Sequence, residues 1–315
     1  MSRRVVLAGL GLALALSGCE QGLGPSSSPK PPGRPDRAIS SLTPQVERSA
    51  ESLKLETYFA RVERDLVSQG LLRTDGGGQD TPFDARILTQ NFVRVALFDE
   101  YTEQAGTMVA RQRASRLRRW ETPVRLQLTF GDSINEDNRK TDSAALSSYA
   151  RRLARASGHQ IGVVRDNGNF HVLILNEDER VGYGDALRDL VPGIGDTAIR
   201  TIVGMPRSTF CLVFAFSRGD SSDYVNAIAV IRGEHPDLLR LSCIQEEVAQ
   251  GLGLANDSPR ARPSIFNDDE EFALLTRHDE LLLSMLYDQR LRPGMVSKQA
   301  GPIAELIAHE LLGES

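Results

Sequence analysis

Residues 246–257 read EEVAQGLGLAND and predict the end of a helix, a glycine stop and a short polar run. Glu246 and Gln250 are four residues apart, so they project from the same face of a helix. Gly253 can adopt the left-handed conformation that ends a helix, and Asn256 follows three residues later. The stretch therefore places carboxylate and amide side chains around the end of one helix.

The helix that leads into this stretch is predicted to begin near Pro236, a residue suited to a first helical position. Two apolar stripes run along it, so the helix should be largely buried. Glu246 and Glu247 would then lie at the floor of a cleft. The alternative is a solvated acidic edge. The stripes are formed by Leu241, Ile244, Val248 and Leu252, and by Leu239 and Cys243 together with Glu246 and Gln250.

Several apolar runs upstream predict strands. Residues 124–130 alternate apolar and polar side chains, and residues 210–216 and 224–231 are joined by a polar turn. Residues 161–164 and 170–175 flank the turn sequence DNGN, which predicts a hairpin. Helices are expected from Pro44, with Thr43 as the cap, up to a stop at Gly70, and then from about Asp84, over 144–156 and over 184–190. Together these segments predict a four- or five-stranded sheet packed with helices, an α+β fold.

The N-terminal residues 1–18 resemble a signal peptide, with Arg3 and Arg4 before a short apolar run. The run ends in LSGC, which resembles a bacterial lipobox and predicts lipidation of Cys19. The alternative is an ordinary signal peptide. Acyl chains on Cys19 would anchor the protein in membrane lipid, with its folded part in the periplasm. The next residue is Glu20 and not Asp, the usual signal for retention at the inner membrane, so the outer membrane is favoured. Residues 19–43 are rich in proline and serine and predict a disordered tether.

Cys211 and Cys243 are the two cysteines that remain after lipidation. In the oxidising compartment that export implies, they are expected to form a disulfide that stabilises by roughly 3–4 kcal/mol. Two buried free thiols are the alternative.

The net charge of −5 and the absence of a long basic tract argue against nucleic-acid binding. One run of arginines could bind anionic lipid or an acidic partner, although a solvated face is favoured. The run contains Arg111, Arg113, Arg116, Arg118 and Arg119.

The segment from Ser242 to Tyr287 resembles the catalytic core of matrixin-type metzincins, which are zinc peptidases. The helix–glycine–turn spacing matches. Residues 264–266 (SIF) occupy the place of the methionine turn, and residues 275–287 resemble the closing helix. The resemblance implies a zincin-like mixed sheet over residues 121–290, preceded by a helical segment at 44–120 and followed by a helical tail at 291–315.

The three zinc-ligand positions of that family correspond to Glu246, Gln250 and Asn256 instead of histidines. Zinc prefers imidazole, thiolate or carboxylate ligands, so this set is a poor zinc site, even if Asp257 replaced Asn256. Glu247 occupies the general-base position. No metal and no cofactor are therefore expected.

The five histidines form no spaced ligand pair. His278 lies in the closing helix near Asp279 and is the candidate of most interest among them, but we expect it to be a surface residue.

The chain as a whole is similar to a family of proteobacterial lipoproteins of unknown function, on the lipobox and on the sequences around residues 243–257 and 264–268. We expect a domain that binds a peptide or an envelope protein. One alternative is a hydrolase that uses Glu246, Glu247 and Asp257 around an atypical metal. The other is a purely structural envelope protein.

Overall fold

A computed structural model of the chain describes residues 46–104, 107–267 and 269–314. The predicted signal peptide, the tether and Cys19 lie outside these residues. In chain order the elements are α1 (Ala50–Ser68), α2 (Ala85–Ala96), β1 (Phe98–Gln104), β2 (Thr107–Ala114), β3 (Val124–Phe130), α3 (Glu136–Ser157), β4 (Ile161–Val164), β5 (Phe170–Leu175), α4 (Glu177–Val181), α5 (Gly184–Leu190), α6 (Asp196–Val203), β6 (Cys211–Ser217), β7 (Tyr224–Arg232), α7 (Asp237–Gln250), α8 (Arg277–Leu286) and α9 (Ser297–Leu312).

The central sheet has the strand order β4-β3-β5-β7-β6. Its first four strands are parallel to one another, and β6 pairs antiparallel with β7 at one edge. The predicted α+β fold with a five-stranded sheet is confirmed. The hairpin formed by β1 and β2 makes a separate two-stranded sheet.

The predicted hairpin between residues 161–164 and 170–175 is wrong, because β4 and β5 lie on opposite sides of β3 and both run parallel to it. The strands are offset: Val164 lies beside Gln127, and Phe170 begins beside Leu126. Residues 165–169, which connect β4 to β5, therefore only have to cross over β3. They cross closely, since a Cβ on Gly168 would lie 2.4 Å from the Cβ of Gln127. Asn167 and Gly168 therefore lie in the connection that crosses β3 and not in a hairpin turn.

Helices cover the two faces of the sheet unequally. The larger core joins one face to α2, α3, α7, α8 and α9, and it contains the buried Trp120. The smaller core joins the other face to α5 and α6. The predicted start of the first helix at Pro44 is wrong, because α1 begins at Ala50 and Ser49 caps its first turn. This helix packs through Leu55 and Phe59 against Leu239 at the start of α7. Residues from Pro44 onward form one compact unit, so the N-terminal helices pack on the rest of the domain.

The helix α3 begins eight residues before the predicted start at residue 144 and ends before Gly158, which has a φ of 67°. Asn135 caps its first turn. The first residues of α3 are almost all polar, so the apolar repeat that the prediction used begins only at Leu146. Buried Asp142 in this polar part pairs with Arg240 of α7 at 2.8 Å.

The predicted helical segment 44–120 contains α1 and α2 and also the β1–β2 hairpin, which the sequence did not indicate. The arginine run lies along β2 and after it. Arg113 and Arg116 are exposed, as expected for a solvated face, whereas Arg119 is buried and donates to the carbonyls of Leu286 and Asp288. The side chain of Arg111 lies outside the part of the chain that the structure describes. Within the described ranges, no helix has the length and apolar character needed to cross a membrane.

Candidate functional site

The helix α7 carries the predicted site residues in its last turns. It packs on β6 and β7 and beside α3, so that Glu247 and Gln250 are buried and Glu246 is half-buried. This burial contradicts the solvated acidic edge, whereas the position of the two glutamates at the floor of a cleft stays a prediction. The helix begins after Pro236, one residue later than predicted.

The side-chain amides of Gln250 and Asn256, at two predicted ligand positions, donate hydrogen bonds within the protein. The amide of Gln250 donates to Oδ1 of Asp257 at 2.8 Å. The amide of Asn256 donates to the carbonyl of Arg94 at 2.8 Å, and its backbone N–H donates to Val95. Asn256 thus satisfies carbonyl groups at the end of α2, which have no partner inside that helix. Both side chains hold the segment after α7 in place.

Among the described residues, one group of three potential ligand atoms lies mutually within 4.8 Å, formed by Cys211, Glu246 and Glu247. Asp257 is outside this group. Cys211 forms a disulfide with Cys243, so its sulfur is not available as a thiolate ligand. What remains is a pair of carboxylates on adjacent residues. Such a pair suits an oxygen-preferring cation or a shared proton more than zinc.

The Cys211–Cys243 disulfide confirms the predicted pairing. It joins the first residue of β6 to the middle of α7, one turn before Glu246. The edge strand and the site helix are therefore covalently held side by side.

Gly253 is required where the chain leaves α7. Its φ is 125°, and a Cβ there would lie 2.2 Å from the carbonyl oxygen of Arg118. The φ of Gly253 is positive as predicted, but this residue does not end the helix, because α7 already ends at Gln250 and Gly251 is its C-cap with a φ of −66°. A second reason, the close approach of the backbone at Arg118, was not visible in the sequence. The indole N–H of Trp120 also donates to the carbonyl of Gly251 at 2.8 Å. Residues 118–120 therefore contact both glycines at the end of α7.

A buried turn at residues 264–266 is held by Asp279, which is fully buried. The carboxylate accepts hydrogen bonds from the Ser264 hydroxyl at 2.5 Å, from the Ile265 N–H at 3.1 Å and from both the N–H and the hydroxyl of Thr276 at 2.9 Å. Asp279 also completes the capping box at the start of α8. One carboxylate thus fixes the turn and the start of the closing helix together.

The expectation that His278 is a surface residue is wrong. Its side chain is fully buried, contacts the ring of Phe83 edge-on at 4.9 Å, and its Nε2 lies 3.1 Å from the amide nitrogen of Asn91. The apolar faces of α2 and α8 meet at this position, which single-helix periodicity does not reveal.

The edge strand β6 has a defined outward side. The N–H of Ala227, in β7, donates to the carbonyl of Asn169, just before β5, and the N–H of Gly233, just after β7, donates to the carbonyl of Leu175 at the end of β5. Because bonding directions alternate along a strand, the even-numbered residues of β7 face β6. The register pairs them with even-numbered residues of β6. The backbone N–H and C=O groups of Val213 and Ala215 therefore point away from the sheet.

The β1–β2 hairpin contacts both faces of the sheet. Near the base of the hairpin, the Gln112 side chain donates to the carbonyl of Asp257 at 2.7 Å, on the α7 side of the sheet. Further along, β2 contacts α6, which packs on the opposite face. The hairpin therefore reaches from one face of the sheet to the other. It is not paired with β6, since the two belong to separate sheets.

These features define an α+β protein with a buried polar site helix beside an unpaired sheet edge. The chain belongs to the family described as "Protein of unknown function (DUF2927)", which matches residues 85–305. The matched range includes α2 and the hairpin as well as the sheet. No curated protein and no solved structure matches the chain.

Proposed function

We propose that this protein is a lipid-anchored, periplasm-facing lipoprotein whose domain binds an extended peptide or protein segment along β6. The binding surface lies on a metzincin-like frame in which the zinc ligands have been replaced. The anchor at Cys19 rests on the lipobox, and the tether over residues 19–43 would hold the domain away from the membrane.

The observation that carries the proposal is the outward backbone of β6. Among the described residues, Val213 and Ala215 make no backbone hydrogen bond besides those within the sheet. An unpaired edge is a template for an added strand, whose main chain supplies affinity and whose alternate side chains supply specificity. Side chains of Val213 and Ala215 lie on the α7 side, so a bound segment would run beside Glu246 and Glu247.

Two further features support a metzincin-like frame. The sheet is mixed, with its antiparallel strand at the edge next to α7, and the turn at residues 264–266 is buried and tied to the closing helix through Asp279. We expect the β1–β2 hairpin, which reaches both faces of the sheet, to form the opposite wall of the binding groove.

Peptide binding is favoured over hydrolysis because the amides of Gln250 and Asn256, at two of the metal-ligand positions, already donate hydrogen bonds within the protein. The closeness of the Glu246 and Glu247 carboxylates is the one feature that favours the hydrolase alternative. Metal analysis of the purified protein separates the two functions. A stoichiometric ion that is lost in Glu246→Ala would support the hydrolase.

The test of peptide binding uses two substitutions at one residue. Ala215→Pro removes an outward N–H without removing a bond to β7, whereas Ala215→Val keeps the N–H and adds bulk on the same side. Random peptides displayed on phage are selected on the wild-type protein. We expect the selected peptides to bind Ala215→Val and to lose at least tenfold in affinity for Ala215→Pro.

The proposal fails if no peptide is enriched, or if the Ala215→Pro protein is folded by circular dichroism and binds the peptides as the wild type does. The anchor is tested separately by Cys19→Ala, which should move the protein from the membrane fraction to the soluble fraction. Retention of this variant in the membrane fraction would contradict lipidation.

A further inference from the structure

A cavity of about 500 Å³ lies between the base of the β1–β2 hairpin and the first turn of α9. None of its lining residues belongs to β6 or to α7, so it is separate from the site described above. Its volume is within the range of roughly 300–1,000 Å³ that is usual for small-molecule sites. The charged residues that line it are Asp99, Arg113, Arg116, Arg118 and Lys298.

Backbone hydrogen bonds hold the two walls of this cavity together. The N–H of Leu117 donates to the carbonyl of Met295 at 2.8 Å, and the N–H of Gly294 donates to the carbonyl of Leu117 at 2.8 Å. Arg116 also forms an isolated antiparallel bridge with Val296. The segment after β2 is therefore fixed against the residues that lead into α9, and the charged side chains of both walls are gathered at one place before any ligand binds.

The cavity carries an excess of positive charge. Four of the charged side chains that line it are cationic and one is a carboxylate, although the chain as a whole has a net charge of −5. The carboxylate of Asp99 accepts a hydrogen bond from the Arg118 guanidinium at 2.6 Å. Because these two charges cancel, the charge of the cavity is set by Arg113, Arg116 and Lys298. A concave site lined by one sign of charge concentrates ions of the opposite sign.

The three remaining cations have no carboxylate partner among the described residues. Arg113 lies directly opposite Asp99 in the register of β1 and β2, a position that favours an ion pair across the strands. Asp99 is bonded to Arg118 instead, which leaves Arg113 without this partner. Arg116 donates to the carbonyl of Gly294 at a distance of 3.4 Å. All three side chains are exposed, so a ligand from solution can reach them.

The first turn of α9 adds positive potential at the same place. Val296 and Ser297, at the start of this helix of 16 residues, line the cavity. The first turn contains no acidic side chain, and the N–H groups of Ser297 and Lys298 donate no hydrogen bond to any described residue. The N–H groups and the dipole at the start of a helix favour an anion. The helix end therefore acts together with the three cations and would not define a site without them.

We propose that this cavity binds the phosphate group of an organic phosphate ester through Arg113, Arg116 and Lys298. A phosphate monoester carries a charge of about −1.5 to −2 at neutral pH and three strong acceptor oxygens. A carboxylate, with one charge and two oxygens, would leave more of the three cations unmatched. Guanidinium groups bind phosphate oxygens in pairs, and the ammonium group adds a point charge. Ala114 and Val296 line the cavity as well, where the organic part of the ligand would lie.

The test titrates the full chain with sn-glycerol 3-phosphate and, as an uncharged control, with glycerol. The salt concentration is about 0.15 M, at which exposed charges are screened beyond roughly 8 Å. The readout is the backbone amide signals of Ser297 and Lys298 in ¹H–¹⁵N correlation spectra. We expect glycerol phosphate to shift both signals saturably and glycerol to leave them unchanged.

A second probe identifies the source of the phosphate group. Glycerophosphoglycerol is the soluble headgroup of an anionic phospholipid and is a diester with a single negative charge. Tighter binding of the monoester assigns the cavity to soluble phosphate esters, which is the result that three cations without carboxylate partners predict. Binding of the diester that is equal or tighter assigns the cavity to a lipid headgroup.

Two double variants with the same change in charge test the assigned residues. Arg113→Gln with Arg116→Gln should lower the affinity for glycerol phosphate at least tenfold, because charge-assisted hydrogen bonds are lost. Arg61→Gln with Arg64→Gln, which changes two exposed residues of α1, should bind as the wild type does. Circular dichroism checks that both variants fold. If the cavity variant does not fold, Lys298→Gln replaces it, with an expected loss of a few fold.

The proposal is overturned by any of four results. These are the absence of a saturable shift with glycerol phosphate, the same shift with glycerol, a folded cavity variant that binds as tightly as the wild type, and a loss of affinity in the α1 variant as large as that in the cavity variant. The last result would show that glycerol phosphate responds to the overall charge of the protein and not to this cavity.

Discussion

Asp279 offers a direct test of how the site is held together, through the substitution Asp279→Ala. The carboxylate is completely buried and accepts four hydrogen bonds, from Ser264, Ile265 and Thr276. Hydrogen bonds to a charged group contribute about 1.5–3 kcal/mol each, but bonds in one network are not additive. Alanine would also leave two backbone N–H groups buried without acceptors. We expect a loss of about 4–5 kcal/mol in the free energy of unfolding, of which the unpaired N–H groups account for a large part.

Asp279→Asn is the matched control because it preserves the size of the side chain and one acceptor oxygen. The oxygen can still accept from the Ile265 and Thr276 N–H groups, and the Ser264 hydroxyl can turn to accept from the new amide. A loss of about 1–2 kcal/mol is expected. Urea unfolding followed by circular dichroism measures both variants. A loss below 1 kcal/mol in Asp279→Ala, or equal losses in the two variants, would refute the assigned network.

Two further predictions concern stability. Reduction of the Cys211–Cys243 disulfide, which spans 32 residues, should destabilise the protein by about 3.7 kcal/mol through the entropy of the unfolded chain, and dithiothreitol should have no such effect on the double alanine variant. An unchanged urea midpoint on reduction would count against this role. Burial between Phe59 and Phe210 lowers the pKa of His235 to about 3. The unfolded chain therefore takes up the proton first, and stability should fall by about 2–3 kcal/mol as the pH drops from 6.5 to 4.5. His235→Gln, which can keep the bond to the Phe210 carbonyl, should lose this pH dependence, and an unchanged slope would show that other groups cause it.

The periodicity of apolar residues predicted those helices and strands that bury one face or that are buried on both faces. The strands β3, β5, β6 and β7 and the helices α2, α5 and α7 were found because apolar periodicity depends only on neighbouring residues. The disulfide was predictable as well, because only Cys211 and Cys243 remain once Cys19 is assigned to the predicted lipidation. The positive φ of Gly253 followed from its place after a helix.

What the sequence alone determined is therefore the type of most elements, the α+β class, and the grouping of carboxylates and amides at the end of α7. The tertiary structure decided how these parts meet. Only it shows that β4 and β5 flank β3, that His278 is buried under α2, and that Gln250 and Asn256 bond to Asp257 and Arg94. It also brings Arg113 of β2, Arg116 after this strand and Lys298 of α9 around one cavity. The physical reason is that side-chain contacts between distant segments depend on strand order and register, which local periodicity does not encode.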